Sequence, residues 1–185
     1  MKIRALIAIL SVLLLIIIAI FLFSIRYVNM SDSIYPKMVS ISDKGDTCVY
    51  REIIGNSDCI IIYDLFKMRI MKKLYCKGRL DGLALSRNGK CIYYIDQNNI
   101  YKYDIDKQTQ KIINIGIAQK GLPYRVCTNE DGTIIALVVF MHGVNNKSKI
   151  VIYDFKQEKT VNKQNEINGD YPMLTNSGEY MVYSD

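Results

Sequence analysis

The chain has 185 residues, half of them hydrophobic, with a formal net charge of +6 and a single histidine. Lys2, Arg4 and Arg26 are the only charged side chains before Met30, so the remainder carries only about +3, interspersed along the sequence. That balance excludes a basic nucleic-acid patch, and one histidine with no Cys-x-x-Cys pair excludes a zinc knuckle or a thioredoxin-type redox motif.

Residues 1–4 form a short N-terminal tail. From Ala5 to Phe23 the sequence reads ALIAILSVLLLIIIAIFLF, with Ser11 as its only polar side chain. As a helix this run reaches roughly 28 Å, the thickness of a bilayer's hydrocarbon core. A helix satisfies its own backbone hydrogen bonds, which is the condition for sitting in lipid. The sequence therefore predicts a transmembrane signal-anchor helix over 5–25, with the lipid bilayer as partner of residues 5–23. A cleavable signal peptide would have a shorter apolar core, about 7–15 residues, followed by a small-x-small cleavage site, and FLFSIRYVNM offers none. Charge counts on the two flanks barely discriminate an orientation. A four-residue tail before the helix and a whole domain after it fit a single-pass protein of the cell membrane whose domain is extracytoplasmic.

After a linker over 26–37 the sequence repeats itself. Four segments share a polar turn with glycine followed by a β-branched apolar run: SISDKGDTCVY, ALSRNGKCIYYI, CTNEDGTIIALVV and LTNSGEYMVYSD. Their glycines, Gly45, Gly89, Gly132 and Gly178, are spaced by about 44 residues, the length of one four-stranded propeller blade. Between them lies a second element, CIIIYDL, NIYKYDI and KIVIYDF, each ending in Tyr-Asp and an apolar residue. A further strand follows each, RIMKKLY, QKIINIG or KTVNKQN. Asn-Gly and Asp-Gly tolerate the left-handed backbone of a tight hairpin, and Ile, Val, Tyr and Thr suit a pleated sheet. Short runs broken this regularly exclude a helical repeat.

These turns resemble the Ser-Pro-Asp-Gly-Lys turn of TolB-like and WD40-like β-propellers, through Ser42-Asp43-Lys44-Gly45, Ser86-Arg87-Asn88-Gly89-Lys90 and Thr175-Asn176-Ser177-Gly178-Glu179. Pro172-Met173-Leu174-Thr175 is similar to that family's approach to the turn, and Ile-Tyr-Asp to its following strand. The chain departs from the pattern in lacking the turn proline and any Trp-Asp pair, and its third copy reads as one residue longer before the glycine. The expected fold is all-β: antiparallel propeller-like blades, about three and a half units, after the one N-terminal helix. The partial propeller domain spans 38–185, with repeats near 38–81, 82–122, 123–169 and 170–185. Three units and the start of a fourth leave a ring unfinished, so an open sheet edge or apolar face is expected.

The chemistry of catalysis is missing from the sequence. His142 has no Gly-x-Ser-x-Gly elbow to serve, and neither a phosphate-binding nor a dinucleotide-binding glycine loop occurs. No catalytic, cofactor-binding or metal residue is assigned. Asp43, Asp46, Glu130 and Asp131 around the turn glycines read as turn caps in preference to calcium ligands. Cys48, Cys59, Cys91 and Cys127 lie in apolar runs, where a thiol acts as a small buried hydrophobe; Cys76 completes the five. Propellers bind ligands through loops leading into their inner strands. By the resemblance these loops carry Asp81, Tyr124, Arg125, Asp170 and Tyr171 as ligand-binding candidates. The implied function is a membrane-anchored, non-enzymatic binding or scaffold domain for a protein, peptide or cell-wall ligand. The alternative is the non-catalytic propeller of a membrane-anchored hydrolase resembling the dipeptidyl peptidases. A small-molecule sensor linked to a transporter or kinase is a third class.

Overall fold

The computed structural model describes residues 38–115, 121–141, 148–161 and 167–184. The expected transmembrane helix, the linker after it and His142 lie outside the described residues. Among the described residues, no helix is long and apolar enough to cross a membrane.

The described chain is all-β. Strands β1 (Val39–Ile41), β2 (Thr47–Ile54), β3 (Ser57–Asp64) and β4 (Arg69–Tyr75) form one antiparallel meander in sequence order. A second comprises β5 (Leu80–Leu85), β6 (Cys91–Asp96), β7 (Asn99–Asp104) and β8 (Thr109–Ile113). The third is built from β9 (Leu122–Thr128), β10 (Ile134–Phe140), β11 (Ser148–Asp154) and the short β12 (Lys159–Thr160), with β13 (Ile167–Asn168) pairing to the far part of β11. Strands β14 (Asp170–Leu174) and β15 (Met181–Ser184) form a final pair.

One turn recurs four times, and its chemistry explains the glycine spacing. Gly45, Gly89, Gly132 and Gly178 have φ of 68, 75, 69 and 78°, a left-handed backbone that a Cβ disfavours. Each donates its N–H to the carbonyl three residues earlier, on Ser42, Ser86, Asn129 and Thr175 respectively. The side-chain oxygen of that earlier residue in turn accepts a backbone N–H from beyond the glycine. The donors are Thr47 to Ser42 (3.1 Å), Cys91 to Ser86 (2.9 Å), Ile134 to Asn129 (2.9 Å) and Tyr180 to Thr175 (3.2 Å). Asn129 thus stands where the other copies have a hydroxyl, and the third turn has the same length as the rest. The extra residue read from the sequence is a misalignment on Thr128.

The Tyr-Asp signature is a second recurrent turn. Asp64 and Asp104 accept the N–H three residues on, from Lys67 and Lys107 (both 2.9 Å), and Asp154 accepts from Lys156 (2.7 Å). The apolar residue after each aspartate reaches back, so that Leu65, Ile105 and Phe155 donate to the carbonyls of Asp46, Lys90 and Thr133. The carboxylates at these turns cap backbone, as side chains of this kind do in tight turns.

The sheets pack face to face, and side-chain parity assigns each residue to an interface. On β6, Ile92 and Tyr94 pack toward the first sheet with Val49, Ile60, Ile62 and Leu80. Its alternate residues Cys91, Tyr93 and Ile95 pack toward the third sheet with Val126, Ile135, Leu137 and Val139. On β10 the remaining face contributes Ala136, which meets Ile150 and Leu174. Each fully buried Ile or Leu here contributes about 1.5–3 kcal/mol. Tyr94 stacks on its cross-strand partner Tyr101 with ring centroids 4.9 Å apart.

Polar contacts fix the order of the sheets. Asp58 pairs with Arg51 (2.7 Å) in a nearly dry setting, and its other oxygen accepts the N–H of Leu80 at the start of β5 (2.6 Å). Asp96 accepts from Lys77 and Gly78 (2.7 and 2.8 Å) in the preceding connection. At the opposite end the glycine turns are linked directly, Asp43 N–H to Arg87 C=O (2.7 Å), Asn88 to Glu130 (3.0 Å) and Glu130 to Asn176 (3.1 Å). Apolar side chains stay exposed at both ends of the stack, among them Val39, Ile41 and Tyr75 on the first sheet and Met173, Tyr180 and Val182 on the last pair.

Candidate functional site

Strands β1, β5, β9 and β14 are the first of their sheets, and consecutive sheets meet along them. Residues 39–41 and Asp43, 83–85 and Arg87, 126–128 and 173–174 line a groove of about 410 Å³ beside these inner strands, toward their glycine-turn ends. Its lining exposes more polar than apolar surface, with Ser40, Asp43, Arg87 and Thr128 among its walls. Leu85 N–H is covered by Ser40 Oγ at 3.2 Å, and Arg87 at the far end donates to Asn176 Oδ1.

The other ends of the same strands are irregular in a repeated way. Pairing of β5 with β6 skips Asp81, and pairing of β9 with β10 skips Tyr124. Between β14 and β15 the register shifts across Tyr171 and Pro172. An extra residue in one strand of a pair bends the chain and redirects a side chain out of the alternation, which is why bulges gather beside binding sites. Tyr171 also has φ of 51°, a conformation that a bulky residue holds only where its surroundings enforce it.

Four of the five sequence-predicted residues come together here. The guanidinium carbon of Arg125 lies 3.5 Å from the centroid of the Tyr171 ring and 5.8 Å from that of Tyr124. The Tyr124 hydroxyl is 3.0 Å from Asp170 Oδ1 and 2.8 Å from Ser148 Oγ. A phenol has one proton to donate; with it on the carboxylate, Ser148 is the donor to the Tyr124 oxygen. Burial pushes the Tyr124 hydroxyl above its ordinary pKa; the Ser148 contact opposes that shift and the Asp170 carboxylate adds to it. Arg125 pairs with Asp170 at 3.9 Å, with both side chains about a third exposed.

Asp81 is held separately, paired with Arg79 at 3.3 Å, and burial raises its carboxyl pKa while Arg79 opposes the shift. Its neighbour Gly82 permits the second and third sheets to approach, since a Cβ there would meet Ile95 Cδ1 at 2.8 Å and the Arg125 backbone at 3.3 Å. Sequence reading missed Ser148, which lies on the third strand of its sheet, far along the chain from Tyr124. It also missed Arg79, which stands only two residues before Asp81.

This constellation is suited to binding. It offers a flat cation on an aromatic ring, two phenol rings and a carboxylate. Among the described residues, no group of His, Cys, Asp or Glu side chains could hold a metal ion.

No family model and no curated protein matches the chain. Solved structures do resemble it in fold. Hydrazine synthase of Kuenenia stuttgartiensis aligns with a TM-score of 0.58 and 15% identity over 78% of this chain and 40% of that one. The β-propeller domain of the Trilobed protease from Pyrococcus furiosus, which has an open velcro topology, aligns at 0.52 and 16% over 74% and 44%. The Cps50 (Swd1) β-propeller domain of Myceliophteria thermophila aligns at 0.51 and 16% over 80% and 48%. The chain spans less than half the length of each of these. At such identities the likeness establishes the fold alone: the described residues from 38 to 184 have a β-propeller-like architecture of antiparallel sheets, two of four strands and one of four with β13 added.

Proposed function

We propose that this chain is a membrane-tethered, non-enzymatic binding domain whose ligand docks at the bulged ends of the inner strands. The observation that carries this reading is the cluster of Tyr124, Arg125, Asp170 and Tyr171, drawn from two adjacent sheets and set on two consecutive bulges. The nineteen-residue apolar run supports the tether.

A photo-crosslinking residue placed at Tyr171 in the full chain, in native membranes, tests the binding face. A discrete adduct is expected from position 171 and none from position 111 on the exposed outer strand β8. Equal yields from the two positions, or none from 171, would sink the assignment. Carbonate extraction combined with protease added to intact cells tests tether and side together; the expected result is a carbonate-resistant protein whose domain is digested from outside.

A second reading has one observation behind it, the likeness to the propeller domain of a protease. In that case the chain is the non-catalytic propeller of a membrane-anchored serine hydrolase. A Gly-x-Ser-x-Gly sequence encoded downstream of codon 185 would favour it.

A further inference from the structure

We propose that Arg125, stacked on Tyr171, is the anchor for a ligand carboxylate, and that Asp170 occupies its vicinity as a placeholder. The inference rests on the binding face proposed above and names the chemistry it recognises.

Stacking at 3.5 Å fixes the plane of the guanidinium and leaves the in-plane N–H donors at its edge. Asp170 does not take up those donors. Its Oδ1 stands 3.9 Å from Arg125 Nη1, well outside the 2.7–2.9 Å of a charge-assisted hydrogen bond. The same oxygen already accepts from the Tyr124 hydroxyl (3.0 Å) and from the Tyr171 N–H (3.2 Å), which hold it back from the cation. Among the described residues the guanidinium has charge compensation without a hydrogen-bonded partner, and its side chain is a third exposed. That is a preorganised fork with its acceptor withheld.

The local charge selects among anions. One guanidinium with a carboxylate beside it is close to neutral. A dianionic phosphate seated on Arg125 would face Asp170 with two like charges, whereas a carboxylate brings one and matches the planar fork. The exposed ring of Tyr171 adds an apolar wall beside the anion. The ligand is therefore a carboxylate borne on an apolar or ring-shaped body. A peptide C-terminus, an acidic side chain and a uronic acid share this chemistry.

The test uses the full chain in lipid nanodiscs. The probes are hexapeptides with every residue pair at the last two positions, each as free acid and as amide, together with glutamate-containing amides, glucuronate and inorganic phosphate. The free acids are expected to bind about tenfold or more tightly than their amides. Arg125→Gln should bring the acids down to the amide level, and Asp170→Asn should tighten the acids. Preference for glutamate amides or for glucuronate would support the carboxylate and identify its source. Equal binding of acid and amide that is still lost in Tyr171→Ala would overturn the carboxylate while leaving the binding face intact. Phosphate binding more tightly than any carboxylate, or no probe binding at millimolar concentration, would also overturn it. Crosslinking from position 171 then judges the binding face independently.

Discussion

Asp58 accepts N–H groups from Arg51 and from Leu80 while only 6% exposed, so a single carboxylate holds the second strand of one sheet to the first strand of the next. Removing it takes the acceptor from several buried donors at once, and breaking a buried pair of this kind costs about 3–5 kcal/mol. Asp58→Ala should therefore shift the urea midpoint far more than Asp104→Ala, whose carboxylate caps a solvent-facing turn; comparable shifts would contradict the assigned role. The thiols set a second expectation at this scale. Burial pushes Cys76 up to about 12 and Cys127 to about 11, and raises Cys48, Cys59 and Cys91 as well. A group whose folded pKa is raised and whose neutral form is buried contributes fully below its unfolded pKa, and loses that contribution as pH climbs toward the folded value. From about pH 9 upward the unfolded chain ionises thiols that the folded chain keeps protonated, at about 1.4 kcal/mol per pH unit for Cys76 and for Cys127. The melting temperature should fall steadily from pH 8.5 to pH 10.5, and a flat profile would mean that the thiols are not buried in solution.

The glycine turn shows what one element asks of its sequence. Gly45 and Gly132 share the same left-handed φ, yet a Cβ on Gly45 meets nothing within 4 Å, whereas on Gly132 it would lie 3.1 Å from Cys91 Cβ and 3.3 Å from the Tyr93 hydroxyl oxygen. Gly45→Ala should cost roughly 1 kcal/mol from backbone strain alone. Gly132→Ala should cost measurably more, because it also presses on the neighbouring sheet, and equal midpoints in parallel denaturation would refute the distinction. The turns were legible in sequence because their glycines are obligatory. The role of Asn129 was not, since an amide oxygen and a hydroxyl accept the same backbone N–H and look unrelated on paper. Strand positions such as CIYYID were legible too, but not which face each residue serves, because a strand buried on both sides loses its polar alternation. The bulges at Asp81 and Tyr124 were hidden for a further reason: a bulge is decided by what the partner strand pairs with, and no local propensity announces it.

At the scale of the molecule, stability is distributed by neighbours, as in other repeat architectures. Strands β6 and β10 are buried on both faces, while β14 and β15 leave Tyr171, Met173, Tyr180 and Val182 open to solvent. Hydrogen exchange should be slowest in β6 and β10 and fastest in the final pair. Uniform protection would show a cooperativity that this packing does not supply. The spacing of the glycines pointed to the blade length, and the candidate site at the mouths of the inner strands was what the resemblance to propeller repeats implied. Its internal wiring, with Ser148 and Asp170 both meeting the Tyr124 hydroxyl, depends on residues that only the assembled sheets bring near. The backbone bonds that join one glycine turn to the next have their own implication for how such a chain can change. Lengthening any of those loops would detach a neighbour's carbonyl as well as its own, so the glycine turns are closed to insertions. The hairpins after Asp64, Asp104 and Asp154 stand at the same end but toward the outer strands, and Leu65, Ile105 and Phe155 tie each of them to the glycine turn of its own sheet and not to the next sheet's. Room for new sequence, whether acquired by evolution or added as a reporter, lies on that outer rim.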